Sequence, residues 1–98
     1  YIKPDDVNRL KNAGSIAVYG AGLFAKKLFI LLQKNEMPVS CFCVTKTEGN
    51  PAQLFDRPVK KYTKDIKQDC IIIAVSEKIR NQIVQSTDFK GKTVITLL

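Results

Sequence analysis

Residues 15 to 25 read SIAVYGAGLFA, a short apolar run followed by a glycine-containing turn and the start of an amphipathic segment. The turn has the spacing G-x-G-x-x-A from Gly20 to Ala25. The first glycine permits a tight turn, Gly22 lets the backbone approach a pyrophosphate, and the small Ala25 lets a helix pack closely on the sheet. The first N–H groups of such a helix attract anions. This order predicts a phosphate-binding turn for a nucleotide-type ligand, and it indicates no reaction.

Hydrophobic periodicity predicts alternating strands and helices along the rest of the chain. A leader helix is expected over Pro4–Asn12. Strands and helices are then expected at Ile16–Tyr19, Leu23–Lys34, Val39–Val44, Cys70–Val75, Glu77–Thr87 and Thr93–Leu97. Turn signals in Thr45–Lys61 favour an irregular segment with Leu54 and Phe55 at the core edge, and a short helical turn is expected around Tyr62–Lys67.

This alternation is typical of an α/β fold in three layers, with a parallel sheet of about four strands and helices on both faces. We expect a leader helix within residues 1–14 and one domain over residues 15–98. The only methionine is Met37, so we interpret the chain as a piece of a larger protein.

Composition restricts the classes of partner and compartment. Sixteen Lys and Arg against nine Asp and Glu give a net charge of +7, which favours anionic partners. The basic residues are scattered, which argues against nucleic acid. No apolar run approaches the ~20 residues of a transmembrane helix, and no secretory signal is evident, so a cytoplasmic protein is expected.

The cysteines predict buried thiols rather than a metal site. Cys41 and Cys43 alternate in an expected strand and so point to one face of the sheet, while Cys70 begins another strand. The chain has no histidine and no C-x-x-C pair, which argues against zinc. We therefore expect no metal site.

Candidate binding residues lie where the strands end. If the strands ending at Tyr19 and Val75 are neighbours, the glycine turn and the following turn share one crevice at the carboxyl edge of the sheet. The candidate ligand-binding residues are Gly20, Ala21, Gly22, Leu23, Phe24, Thr45, Lys46, Ser76, Glu77 and Arg80. Without histidine, and without a G-x-S-x-G or Walker lysine motif, no catalytic residue is expected.

The end of the second strand departs from the NAD-binding pattern. That pattern places an acid about 20 residues after the glycines, where it holds the ribose hydroxyls. Here Lys46 occupies the strand end and the first acid is Glu48. Ordinary NAD binding is therefore disfavoured, whereas a phosphorylated ribose, as in NADP, stays open.

The glycine turn, Arg57-Pro58-Val59, the strand from Cys70, and Ser76-Glu77 with Arg80 together resemble a known module. The chain is similar to the amino-terminal nucleotide-sugar-binding domain of bacterial sugar O- and N-acyltransferases and related polysaccharide-biosynthesis proteins. This resemblance implies a small Rossmann-like domain, a UDP-type nucleotide-sugar ligand and a parent transferase. Lys46 replaces the acid that often follows the second strand in that family. The hexapeptide-repeat domain and its catalytic histidine, which supply acyl transfer there, have no counterpart in this sequence.

Three functional hypotheses remain at this stage. The first is a noncatalytic nucleotide or nucleotide-sugar-binding domain of a bacterial polysaccharide-biosynthesis protein, for which CoA is also a candidate ligand. The second is the NADP-binding half of an oxidoreductase. The third is a degenerate domain that docks other domains of the parent protein or a second copy of itself as a homodimer.

Overall fold

Six strands and two helices make up the described part of the chain, which in the computed structural model comprises residues 15–37 and 39–96. The elements are β1 (Ile16–Tyr19), α1 (Leu23–Lys34), β2 (Cys41–Val44), β3 (Gln53–Leu54), β4 (Arg57–Lys61), β5 (Cys70–Ile73), α2 (Glu77–Ser86) and β6 (Thr93–Thr96). The predicted leader helix and Pro38 lie outside the described residues. β1 and α1 have the bounds that periodicity predicts.

The strands form one sheet in the order β3-β4-β2-β1-β5-β6. β4, β2, β1, β5 and β6 are mutually parallel, and only β3 runs antiparallel, against β4. β1 is central, with Tyr19 opposite Cys43 on one side and Ile73 on the other. The carboxyl ends of the five parallel strands therefore lie at the same edge of the sheet.

The core has two layers, one on each face of the sheet. On the first, which we call the α1 face, α1 contributes Ala25, Leu28, Phe29 and Leu32 against alternate strand residues such as Val18. On the second, the α2 face, Ile83 is the only buried residue that α2 contributes. Loop side chains complete that cover, notably Tyr62, Ile66 and Phe89.

The expected three-layer domain with about four parallel strands and helices on both faces is wrong. The sheet has six strands, one pair is antiparallel, and the described residues contain only two helices. Neither β2 and β4 nor β4 and β5 are joined by a helix. Pro51 interrupts the first connection. Residues 62–69 are too few for the dozen or so residues of a helical crossover, and they form only a turn at residues 64–65, not the predicted helical turn.

The segment expected to be irregular contains the β3–β4 hairpin. Its two-residue turn is Phe55-Asp56, and both residues have positive φ, +52° and +63°. The Phe55 ring stacks on Phe29 of α1, with centroids 4.6 Å apart, but the side chain stays 43% exposed. Arg57 adds to this contact, since its guanidinium lies 5.9 Å from the Phe29 ring and its Nε donates to the Val39 carbonyl at 2.9 Å. The hairpin is thereby attached to α1, and Leu54 packs against the core as predicted.

Candidate functional site at the carboxyl edge of the sheet

The strand order brings the two predicted turns together. β1 and β5 are neighbours, and the connections that follow them leave in opposite directions, β1 toward β2 and β5 toward β6. In open sheets with parallel strands, ligands bind at such a point, just beyond the carboxyl ends of the strands. The turn after Tyr19 and the turn after Ile73 therefore form one stretch of the sheet edge.

Gly20 holds the first turn against β5. It is buried, its φ is +128°, and its N–H donates to the Cys43 carbonyl at 2.7 Å. A Cβ at this position would lie 2.8 Å from the Ala74 carbonyl oxygen, which is backbone and cannot easily move. Only glycine fits here, so the role of Gly20 in this structure is to let the chain turn.

Gly22 has a different environment, because it is exposed and faces open space. It precedes α1 with φ −96°, and a Cβ built on it would meet no atom of residues 15–37 and 39–96 within 4 Å. Among the described residues, no acceptor binds the backbone N–H of Gly22, Leu23 or Phe24. The first turn of α1 thus presents unpaired donors and the positive end of the helix dipole to an unfilled space.

The turn after β5 contributes less than its sequence indicates. Ser76 occupies the position before α2, but its hydroxyl makes no capping hydrogen bond. Arg80 lies 3.8 Å from Glu77, a long ion pair, and its side chain is 14% exposed against 79% for Glu77. Arg80 is therefore largely packed and partly neutralised, and its access to an anion at the glycine turn is less direct than its sequence position implies.

A pocket of about 290 Å³ opens on the α2 face next to β1 and β2. The hydroxyls of Tyr19 and Thr45 are hydrogen-bonded to each other at 2.6 Å within it. The other lining residues are Lys61, Tyr62, Thr63, Lys64, Ser86, Thr87 and Asp88. The pocket combines hydroxyl groups, aromatic rings, two lysines and one acid, Asp88, an arrangement that suits a polar ring with hydroxyl groups.

Tyr62 connects the two sides of this pocket. Its hydroxyl donates to the Asp88 carbonyl at 2.8 Å, and its ring lies 5.8 Å from Tyr19 and 5.0 Å from Phe89. Burial, followed by the charge of Asp88, raises the pKa of Tyr62 above its ordinary value. The phenol is therefore protonated at neutral pH and serves as a hydrogen-bond donor.

The pocket contains only one of the predicted binding residues, Thr45. Gly20 to Phe24 lie at the adjoining turn, and Lys46, whose side chain is exposed, does not line the pocket, nor do Ser76, Glu77 or Arg80. Sequence reasoning missed the pocket residues that follow β4 because that strand was not recognised. The adjacent Lys60-Lys61 pair directly before Tyr62 was the available signal.

Within residues 15–37 and 39–96, no group of three acidic, cysteine or histidine side chains is placed to hold a metal ion. No helix in the same part of the chain is long and apolar enough to cross a bilayer. No family model, curated protein or solved structure matches this chain.

Proposed function

We propose that this domain binds a diphosphate-containing ligand of the nucleotide-sugar class and does not itself catalyse a reaction. It would serve as a binding module within a bacterial protein of polysaccharide biosynthesis. The proposal depends on a difference between two glycines of one turn. Gly20 packs closely against the backbone that follows β5. Among the described residues, Gly22 has no close neighbour and lies beside helix N–H groups that have no acceptor.

In this proposal the diphosphate contacts the backbone N–H groups of Gly22 and Leu23. Charge-assisted hydrogen bonds to such donors are about twice as strong as neutral ones. The net charge of +7 increases the rate of encounter with an anion, and salt weakens this effect.

The pocket beside Tyr19 would receive the part of the ligand that carries hydroxyl groups. Its volume of about 290 Å³ is at the small end for ligand sites, so it suits a single ring rather than a whole dinucleotide. The Tyr19 and Thr45 hydroxyls can exchange their mutual bond for bonds to a sugar, and Lys61 and Lys64 can neutralise negative charge.

Lys46 supports NADP as the second candidate ligand. It follows β2, where NAD-binding domains place an acid, and its ammonium is exposed. A 2′-phosphate at this position would be attracted by the lysine, whereas an unphosphorylated ribose would gain nothing from it.

The test is calorimetric titration of the protein at low salt with UDP-sugars, NADP and CoA, repeated on Gly22→Val. The valine side chain would extend into the open space and block the phosphates, so we expect at least a ten-fold loss of affinity with no loss of folding. Ala52→Val in the exposed β2–β3 connection adds similar bulk elsewhere and should leave binding unchanged.

Each ligand hypothesis has its own outcome in this experiment. Absence of heat with every ligand contradicts the proposal, and a concentration-dependent dimer without ligand would favour the docking hypothesis. Equal binding by Gly22→Val and the native chain would place the phosphate elsewhere. If NADP is the ligand, Lys46→Ala should weaken the binding of NADP and of no other compound tested. If a nucleotide-sugar is the ligand, UDP-sugars should compete with the other compounds for the site.

A further inference from the structure

The outward face of α1 has an unusual composition for a surface helix. α1 reads LFAKKLFILLQK, in which every charged residue is a lysine. Leu23, Phe24 and Ile30 are exposed to 66%, 57% and 47%. The outer surface of this helix thus combines large apolar side chains with positive charge.

Helical geometry collects these residues into one row. With about 3.6 residues per turn, Leu23, Lys27, Ile30 and Lys34 follow one another along the side opposite the buried residues of α1. Lys26 and Phe24 flank the row. In the part of the chain that the structure describes, no carboxylate lies within ion-pair distance of these lysines.

α2 shows that this composition is not general to the molecule. Its surface also exposes apolar residues, Ile79 and Val84, each 48% exposed. Around them, however, stand an acid, Glu77, one lysine, Lys78, and the neutral polar residues Asn81, Gln82 and Gln85. A mixed polar surface of this kind is ordinary for a solvated helix, whereas the exposed residues of α1 include no acid and a single neutral polar residue, Gln33.

We propose that the α1 row docks on an anionic lipid surface. Lysines beside Leu, Phe and Ile are the combination by which helices bind at the interface of anionic membranes, where the ammonium groups meet headgroups and the apolar side chains enter between them. The methylene stems of the lysines also cover apolar surface while their charges stay in water. The net charge of +7 adds to the attraction.

The shape of the row favours a lipid surface over an acidic protein segment. The row lies on a single convex helix about 18 Å long, so all its side chains reach a flat surface together. A peptide partner requires a groove or an unpaired strand edge, and the row offers neither. Docking through this face would leave the Tyr19 pocket, which lies on the opposite face of the sheet, open to solvent.

The experiment measures co-sedimentation of the chain with vesicles of mixed phosphatidylglycerol and phosphatidylcholine, and with phosphatidylcholine alone. We expect partition only into the anionic vesicles, weakened by salt. Each lysine near the surface contributes about five-fold in partition, so Lys27→Ala with Lys34→Ala should reduce it by about 25-fold. Ile30→Ser should reduce it by about ten-fold.

Matched controls distinguish binding through the α1 row from attraction by the overall positive charge of the protein. Ile79→Ser changes an isoleucine of nearly equal exposure on α2, and Lys67→Ala with Lys78→Ala removes the same charge from α2 and from the loop whose Ile66 packs on the α2 face. These variants should keep most of the partition if the α1 row is the contact. Thermal melts monitored by circular dichroism establish that each variant is folded.

Three results would overturn the proposal. The first is no partition into anionic vesicles at low salt. The second is an equal loss in the α1 variants and their α2 controls. The third is capture of a folded acidic protein by the row in the absence of any vesicle binding, which would make the face a protein interface. None of these results bears on ligand affinity at Gly22, so this proposal and the proposed function fail separately.

Discussion

At the scale of single residues, the glycine turn shows two different demands on one residue type. Gly20 is required by backbone geometry, because its φ is +128° and a Cβ would touch the Ala74 carbonyl oxygen. Nothing in the described part of the chain requires glycine at position 22, since its φ is −96° and no described atom lies within 4 Å of a Cβ built there. Substitutions at position 20 therefore test the fold, and substitutions at position 22 test the ligand binding that we propose for this turn.

Gly20→Ala should reduce the free energy of unfolding by about 2–4 kcal/mol, because it combines an unfavourable φ with a contact to immobile backbone. Urea unfolding followed by circular dichroism measures the change. Gly22→Ala is the matched control and should differ from the native chain by less than about 1 kcal/mol. Equal effects of the two substitutions would contradict this division of roles.

Tyr62 should make the fold less stable in alkali. Its folded pKa is raised by burial and by Asp88, so its contribution to stability is complete below the unfolded pKa of about 10 and is lost as the pH rises through the folded pKa. The urea midpoint of the native chain should therefore fall more steeply above about pH 10 than that of Tyr62→Phe. At neutral pH the variant should lose about 1 kcal/mol, because the bond to the Asp88 carbonyl is absent. Parallel pH curves would refute the linkage.

At the scale of elements, hydrophobic periodicity predicted the correct bounds where an element buries one clear face. β1 and α1 have their predicted bounds, since an apolar run enters a glycine turn and α1 repeats its buried residues at helical spacing. β3 and β4 were missed because the hairpin turn is Phe55-Asp56 rather than the Asn-Gly or Asp-Gly that usually supplies two positive φ values. The conformation depends instead on the stack of Phe55 on Phe29, a tertiary contact that no local pattern indicates.

Asp56→Gly should stabilise the hairpin. Asp56 has φ +63°, a conformation that glycine adopts without steric cost, so we expect a gain of about 0.5–1 kcal/mol in the free energy of unfolding. Asp65→Gly is the control, because Asp65 lies in a turn without positive φ and its replacement should give no gain. A gain at both positions would show that the effect is not specific to the left-handed backbone.

The candidate site was predictable only for those residues that directly follow a strand with a clear apolar pattern. The glycine turn and Thr45 follow strands that the pattern identifies, and they lie at the expected edge. Lys61, Tyr62 and Lys64 reach the pocket through β4 and the loop after it, and their position depends on pairing between distant segments. Single-sequence spacing carries no information about such pairing.

At the scale of the whole molecule, the two faces of the sheet are protected unequally. α1 buries four side chains on its face, whereas α2 buries only Ile83 and loop side chains complete the cover. Cover made of loops opens at lower free energy than a well-packed helix. The α2 face should therefore be the first to open.

The buried cysteines test this asymmetry. Cys41 and Cys43 lie under the α2 face and Cys70 under the α1 face, and all three are at most 1% exposed. In mild denaturant we expect an aromatic disulfide reagent to modify Cys41 and Cys43 before Cys70, as measured by mass spectrometry. Normalisation to rates in the fully unfolded chain removes the intrinsic differences between the three thiols. In the closed state, the hydrogen bond with Cys41 and burial raise the pKa of Cys43 and so slow its reaction until the face opens. Simultaneous modification of all three would indicate that the sheet opens as one unit.

The contrasting surroundings of Gly20 and Gly22 also determine how this turn can evolve. Selection for a folded chain is enough to retain glycine at position 20, whatever the protein does. At position 22, by contrast, glycine should be retained through selection for the ligand that we propose. On this proposal, diverged copies that keep the first glycine but carry a bulky residue at the second should still fold but should no longer bind the diphosphate.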